Sequence, residues 1–226
     1  MALLIFDLDG TLVNSFAQIT QSANEVRTNL GFQKLSLSTA EQLIGLPAYK
    51  LFEDLTTFGV SPSDLVPSFR DVLQSKIQTK NTVYEGVIPL LTACKKEKIT
   101  TAIATSKPQY LAEMVVNHSE LNGLIDLVQG TDDFPPKPDP TVINKVLQRC
   151  DDKAIMFGDR PEDMQAANSA DIPAIGVSQS IFTNQMLLEA GATYSFSSIS
   201  EVHSFSNSPQ HLFNFVTEKE NVPKIL

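Results

Sequence analysis

Residues 5–13 read IFDLDGTLV, and they set two carboxylates, Asp7 and Asp9, at the end of an apolar run that begins at Ala2. An ionised carboxylate near apolar groups is costly unless something pairs with it. No lysine or arginine follows before Arg27, so whatever neutralises the pair comes from elsewhere. A short apolar run reads as a strand, and side chains two apart in a strand point to one face. Asp7 and Asp9 then project together from its C-terminal end, the edge where open α/β sheets bind ligands. Gly10 lets the backbone turn away with little bulk near a ligand. A divalent cation, a shared proton or both would relieve the repulsion between the acids. The plainer alternative is that Asp9-Gly10 is only a turn.

Further apolar runs read as buried strands: TTAIAT (100–105), AIMF (154–157) and AIGV (174–177). Helix-like stretches such as PQYLAEMVVN, PTVINKVLQRC and PEDMQAANSA lie between them. This alternation predicts an α/β fold with a doubly wound, Rossmann-like parallel sheet covered on both faces. Residues 16–82 differ, because FAQITQSANEVRTNLGF, STAEQLIGL, AYKLFEDLTTFG and PSDLVPSFRDVLQSKIQT all show helical spacing of apolar residues. They predict a helical module inserted after the first strand, with residues 1–15 and 83–226 forming the sheet domain. The alternative is that these helices simply cover the sheet. The Ser-rich stretch SFSSISEVHSFSNSPQ (195–210) reads as loop or weak helix.

Composition narrows the function. The 226 residues carry 17 basic and 26 acidic side chains, a net charge of −9. That balance disfavours nucleic acid and anionic membranes as partners. No run approaches the roughly 18 apolar residues of a membrane span, and no basic leader precedes the first apolar run, so a soluble, cytoplasmic protein is expected. Cys94 and Cys150 have no metal-binding spacing and read as buried reduced thiols. His118, His203 and His211 read as surface or capping residues.

Three later segments bear on Asp7 and Asp9. In IATSKP (103–108), Thr105 and Ser106 end a strand, where a hydroxyl and a backbone N–H can hold a phosphate oxygen or merely cap the next helix. In PPKPDP (135–140), prolines stiffen the loop that carries Lys137, a cation suited to Asp7 and an incoming anion; a polyproline linker is the alternative. In MFGDRPEDM (156–164), Asp159 follows a strand and Asp163 lies four residues on, so both can face one site. Helix capping alone is the other explanation of these acids.

The order DLDGT, ATS, KPDP, GDRPED resembles the haloacid dehalogenase-like hydrolase superfamily, and specifically its members with a helical cap. YEGVIPLL (84–91) is similar to the segment where that cap returns to the core, and EAGATYSFSSISEV (189–202) resembles the last strand and helix. The resemblance implies a four-helix bundle cap and a phosphatase of the phosphoglycolate phosphatase type, acting on a small phosphate monoester. Asp7 would be the nucleophile that forms an aspartyl-phosphate, and Asp9 the general acid/base. Thr105 and Lys137 would stabilise the transferring phosphoryl group. Mg²⁺ would be held by Asp7, Asp9 (through its backbone carbonyl), Asp159 and Asp163. Leu8, Gly10, Thr11, Ser106, Gly45 and Lys50 would contact phosphate or substrate, the last two from the cap loop IGLPAYK (44–50).

Two departures from the pattern are Asn14, where an acid is frequent, and Arg160, which reads either as a surface residue or as one that alters the site's edge. Leu46 and Tyr49 could instead be core packing, and Arg27 and Arg70 read as solvated cap cations. Asp9 argues against a dehalogenase, whose leaving group needs no proton. A sugar phosphomutase and a non-catalytic phosphate-binding protein on the same fold remain alternatives. A phospho-acceptor signalling domain fits poorly, because its acceptor ends a later strand. Monomer or homodimer is expected.

Overall fold

Ala2–Phe6 (β1) is apolar and buried at every position, as a central strand covered on both faces requires. The computed structural model describes residues 2–79, 81–150, 153–206 and 208–218. Residues 1, 151, 152, 207 and 219–226 of the expected sheet domain and residue 80 of the expected helical module lie outside the described residues. After β1 come α1 (Phe16–Asn29), α2 (Leu37–Leu43), a 3₁₀ segment (Ala48–Phe58) and α3 (Pro62–Ile77). There follow α4 (Val87–Glu97), β2 (Thr100–Ala104), α5 (Gln109–Asn117), β3 (Leu127–Gln129), α6 (Thr141–Leu147) and β4 (Lys153–Gly158). The chain continues with α7 (Pro161–Ser169), β5 (Ala174–Val177), α8 (Asn184–Glu189), β6 (Tyr194–Phe196), α9 (Ile199–Phe205) and α10 (Pro209–Glu218).

The sheet is parallel throughout, in the order β3-β2-β1-β4-β5-β6. Pleating sends Leu3 and Ile5 into one core and Ala2, Leu4 and Phe6 into the other. Helices α6, α7 and α8 cover the first core; α4, α5, α9 and α10 cover the second. Phe6 and Phe157 are register partners and stack at 4.8 Å, fastening β1 to β4. The strand order changes direction between these two strands. A doubly wound sheet opens its ligand crevice beyond the carboxyl ends at that point.

The helical insert leaves and re-enters the core through paired segments. Val13 bridges Val83 in antiparallel fashion, the Asn14 N–H donates to the Thr82 carbonyl at 2.8 Å, and the Tyr84 N–H donates to the Leu12 carbonyl at 3.0 Å. Where a four-helix bundle was expected, the described residues form three α-helices and one 3₁₀ segment, the third in order. That segment buries Leu51, Phe52 and Leu55 and stops at Gly59, whose φ of 76° suits a residue without Cβ.

Arg27 is not solvated as expected. It is 3% exposed, donates to both Asp54 carboxylate oxygens at 2.7 Å, and also reaches the carbonyls of Gln33 and Leu51. This ties α1 to the 3₁₀ segment. Arg27→Ala is expected to cost about 1–3 kcal/mol, because it strands the buried Leu51 carbonyl; thermal melting of the variant checks this.

Of the two readings of the Ser-rich stretch 195–210, helix holds for Ile199–Phe205. The stretch contains the end of β6 and all of α9. Ser198 caps α9 by accepting from the Glu201 N–H at 3.1 Å, while the Glu201 side chain accepts from the Ser197 N–H. Both cysteines are free thiols, and burial pushes Cys94 up to about 12. His118 caps α5 and His211 bonds Ser206. Among the described residues, no helix is long and apolar enough to cross a membrane.

Candidate active site

The Asp7 N–H donates to the Phe157 carbonyl at 2.8 Å, so the β1–β4 ladder carries the first acid to the crevice. Gly10 turns the chain with φ 92°, and a Cβ there would lie 2.5 Å from Asp159 Oδ2. The turn thus needs glycine both for its backbone angle and for the close approach of β4's acid. Asp159 follows β4 directly. Asp163 sits in the first turn of α7, where its Oδ2 accepts from the Arg160 N–H at 3.1 Å. The capping explanation of Asp163 is therefore half right, since its other oxygen turns into the site.

Lys137 meets that oxygen. Its ammonium bonds Asp7 Oδ1 at 2.7 Å, Asp163 Oδ1 at 2.5 Å and the Ala104 carbonyl at 3.0 Å, which uses all three of its protons. Burial works against the Lys137 charge, but Asp163 and Asp7 outweigh it and raise its pKa. A second lysine, not anticipated from the sequence, neutralises the other acid of the opening motif: Lys107 Nζ lies 2.9 Å from Asp9 Oδ2. Its signal was its place just after Ser106, at the end of a strand at the same sheet edge.

Even with Lys137 present, the acids are under-neutralised. The carboxylates of Asp7, Asp159 and Asp163 are buried and place one oxygen each within 4.8 Å of one another. Burial pushes Asp7 up to about 6, against the pull of Lys137. Burial, then Asp163 and Asp7, push Asp159 up to about 8. Thr11 donates to Asp159 Oδ1 at 2.9 Å, but Asp159 Oδ2 is buried with no partner. Three hard oxygen donors with a surplus of negative charge and an orphaned oxygen fit a divalent cation such as Mg²⁺. The Asp9 carboxylate stands apart from this trio, turned to Lys107.

Above the acids lies a cavity of about 500 Å³ between sheet edge and insert. Its floor holds Asp7, Asp9, Thr105, Ser106, Lys107, Lys137 and Asp163, and the insert contributes Gly45, Leu46, Pro47, Tyr49, Phe69 and Arg70. Thr105 Oγ1 accepts from the Lys107 N–H at 3.2 Å, while Ser106 Oγ is buried without a partner. Leu8, Gly10 and Thr11 do not line the cavity: Leu8 is core, and Gly10 and Thr11 pack on Asp159. Lys50 is likewise outside it. Its ammonium bonds Glu53 at 2.8 Å, a partner one helical turn away that holds it off the site.

Arg160 is a site-edge residue, not a surface one. It is 6% exposed, lies 4.8 Å over the Phe182 ring and donates to Glu162 at 3.2 Å and to the Gln42 carbonyl of the insert at 3.4 Å. Gly45 makes room for it, since a Cβ there would fall 2.6 Å from Arg160 Cδ. Gly45→Ala is therefore expected to destabilise by about 1–2 kcal/mol. Part of that loss should return when Arg160→Ala is added, a coupling that a double-mutant cycle on melting measures directly.

Comparison with known proteins agrees in kind. Residues 4–177 match the family model described as haloacid dehalogenase-like hydrolase. A phosphoglycolate phosphatase of Rhodobacter capsulatus is 35% identical over 181 residues, covering 76% of this chain and 82% of that protein. A pyrophosphatase, PpaX, of Bacillus velezensis is 27% identical over 203 residues, covering 88% and 93%. Among solved structures, one described as a predicted phosphatase from Clostridium acetobutylicum superposes with a TM-score of 0.78 at 28% identity, covering 90% of this chain and 97% of that one.

Proposed function

The chain belongs to the haloacid dehalogenase-like hydrolases, and on that premise we propose that it is a phosphatase that hydrolyses a small phosphate monoester through an aspartyl-phosphate on Asp7, with Mg²⁺ as cofactor. The observation that carries this reading is the meeting of Asp7, Asp159, Asp163 and Lys137 at the sheet's switch point, with Asp7, Asp163 and Lys137 on the floor of the cavity. The similarity to a phosphoglycolate phosphatase supports the same class.

The chemistry follows from the positions. The free oxygen of Asp7 attacks phosphorus while Lys137 holds the other and keeps the group anionic. Asp9 gives a proton to the departing alkoxide, then takes one from the water that cleaves the acyl-phosphate, so ester and water become alcohol and inorganic phosphate. The Lys107 ammonium, 2.9 Å from Asp9 Oδ2, orients the Asp9 side chain by donating to that oxygen whether or not the carboxyl carries its proton. Ser106 Oγ, unpartnered beside the floor, is free to donate to a phosphoryl oxygen. Mg²⁺ held by Asp7, Asp159 and Asp163 would offset phosphoryl charge. Residues 16–82 act as a cap domain that shields the reaction from bulk water, swinging on the paired segments around Val13 and Val83.

The test is phosphate release from a panel of phosphoglycolate, hexose phosphates, nucleotides and pyrophosphate, with Mg²⁺ or with chelator. Mg²⁺-dependent release with one preferred ester is expected. No release from any compound would overturn the assignment.

A further inference from the structure

Resting on that reading, we propose that Arg70 is a specificity-determining residue. It would bind a second anionic group at the far end of the substrate's leaving group. Val66, Phe69, Arg70 and Leu73 line the cavity from α3, and their spacing puts them on one helix face. That face is apolar except for Arg70, with Phe69 and Leu73 almost fully enclosed. Arg70 is itself half-buried, so its guanidinium stands at the wet edge of this apolar face, placed to take an anionic group from a bound substrate.

The other cations around the cavity already have theirs. Lys137 is held by Asp7 and Asp163, Lys107 by Asp9, and Arg160 by Glu162. Among the described residues, no hydrogen bond or ion pair engages Arg70; its charge is felt at the Tyr110 hydroxyl at the start of α5. The cavity's size points the same way. About 500 Å³ falls within the roughly 300–1,000 Å³ typical of sites for sizeable ligands. The chemical class is therefore a phosphate monoester whose leaving group joins an apolar body to a carboxylate or a second phosphate.

The experiment compares matched esters on the wild type, Arg70→Ala and Arg70→Lys. One pair is phenyl phosphate against 4-carboxyphenyl phosphate; the other is hexyl phosphate against hexane-1,6-diol bisphosphate. At least a tenfold higher kcat/KM is expected for the anionic member of one pair, and the pair that shows it tells carboxylate from phosphate. Arg70→Ala should erase that ratio mainly through KM, and Arg70→Lys should keep part of it. A wild type with no such preference, or an Ala variant that retains it, overturns the proposal. Absence of turnover on every ester would instead remove the phosphatase reading. Calorimetric Kd values for the same pairs, on wild type and Arg70→Ala, would still decide the role of Arg70.

Discussion

Asp7→Asn is expected to lower phosphate release by about ten-thousand-fold or more while leaving the fold intact. The amide is close to isosteric with the carboxylate, and the backbone at position 7 stays on the ladder through its bond to the Phe157 carbonyl. What disappears is the nucleophile. An amide oxygen cannot form the aspartyl-phosphate, and no other acid takes its place: Asp9 is turned to Lys107, and Asp163 is occupied by Lys137 and the Arg160 N–H. Stability should change little. Lys137 keeps Asp163 and the Ala104 carbonyl as partners, and the buried cluster sheds one of its three acids. The measurements are phosphate release and thermal melting on one preparation. A variant that melts like the wild type and still turns over at a comparable rate would exclude Asp7 as nucleophile.

The sequence showed this site in outline because its parts obey local rules. Four strands were legible as short apolar runs, read at 2–6, 100–105, 154–157 and 174–177 and observed at 2–6, 100–104, 153–158 and 174–177; periodicity carried Asp7 to the sheet edge but put Asp9 beside it, whereas Asp9 turns away to Lys107. β3 left no such trace: three residues, Leu127–Gln129, give too few positions for a pattern, and the sheet supplies what they lack. Long cations were the hardest to place. Arg27 is buried against Asp54, 27 positions away, and Arg160 reaches Gln42, 118 positions away. Neither partner is visible in a window of sequence. Lys50 shows the opposite case, a local partner: its ammonium pairs with Glu53, three residues on, and lies outside the cavity lining. Lys137 was found because the prolines around it fix the loop, a local constraint with a distant consequence.

The charge surplus at the three acids predicts how stability depends on pH. Asp159 is raised to about 8 and Asp7 to about 6, from 3.8 in each case, with burial the largest cause. In the metal-free folded protein these groups therefore hold protons that the unfolded chain has released. Stability then falls as pH rises through the window from about 4 to about 8, by an amount on the order of a few kcal/mol. The loss is absent below that window and complete above it. Lys137, its pKa raised rather than lowered, stays charged throughout and adds no slope there. A divalent cation binds the deprotonated acids, so its stabilising effect must grow over the same window. Melting in chelator and in Mg²⁺ at pH 5, 6, 7 and 8 should give curves that converge at pH 5 and separate by several degrees at pH 8. Asp159→Asn should flatten most of the chelator curve, because it removes the group with the larger shift. Turnover should vanish in chelator. A Mg²⁺ effect on melting that is equal at pH 5 and pH 8 would mean that the ion binds somewhere other than these three carboxylates.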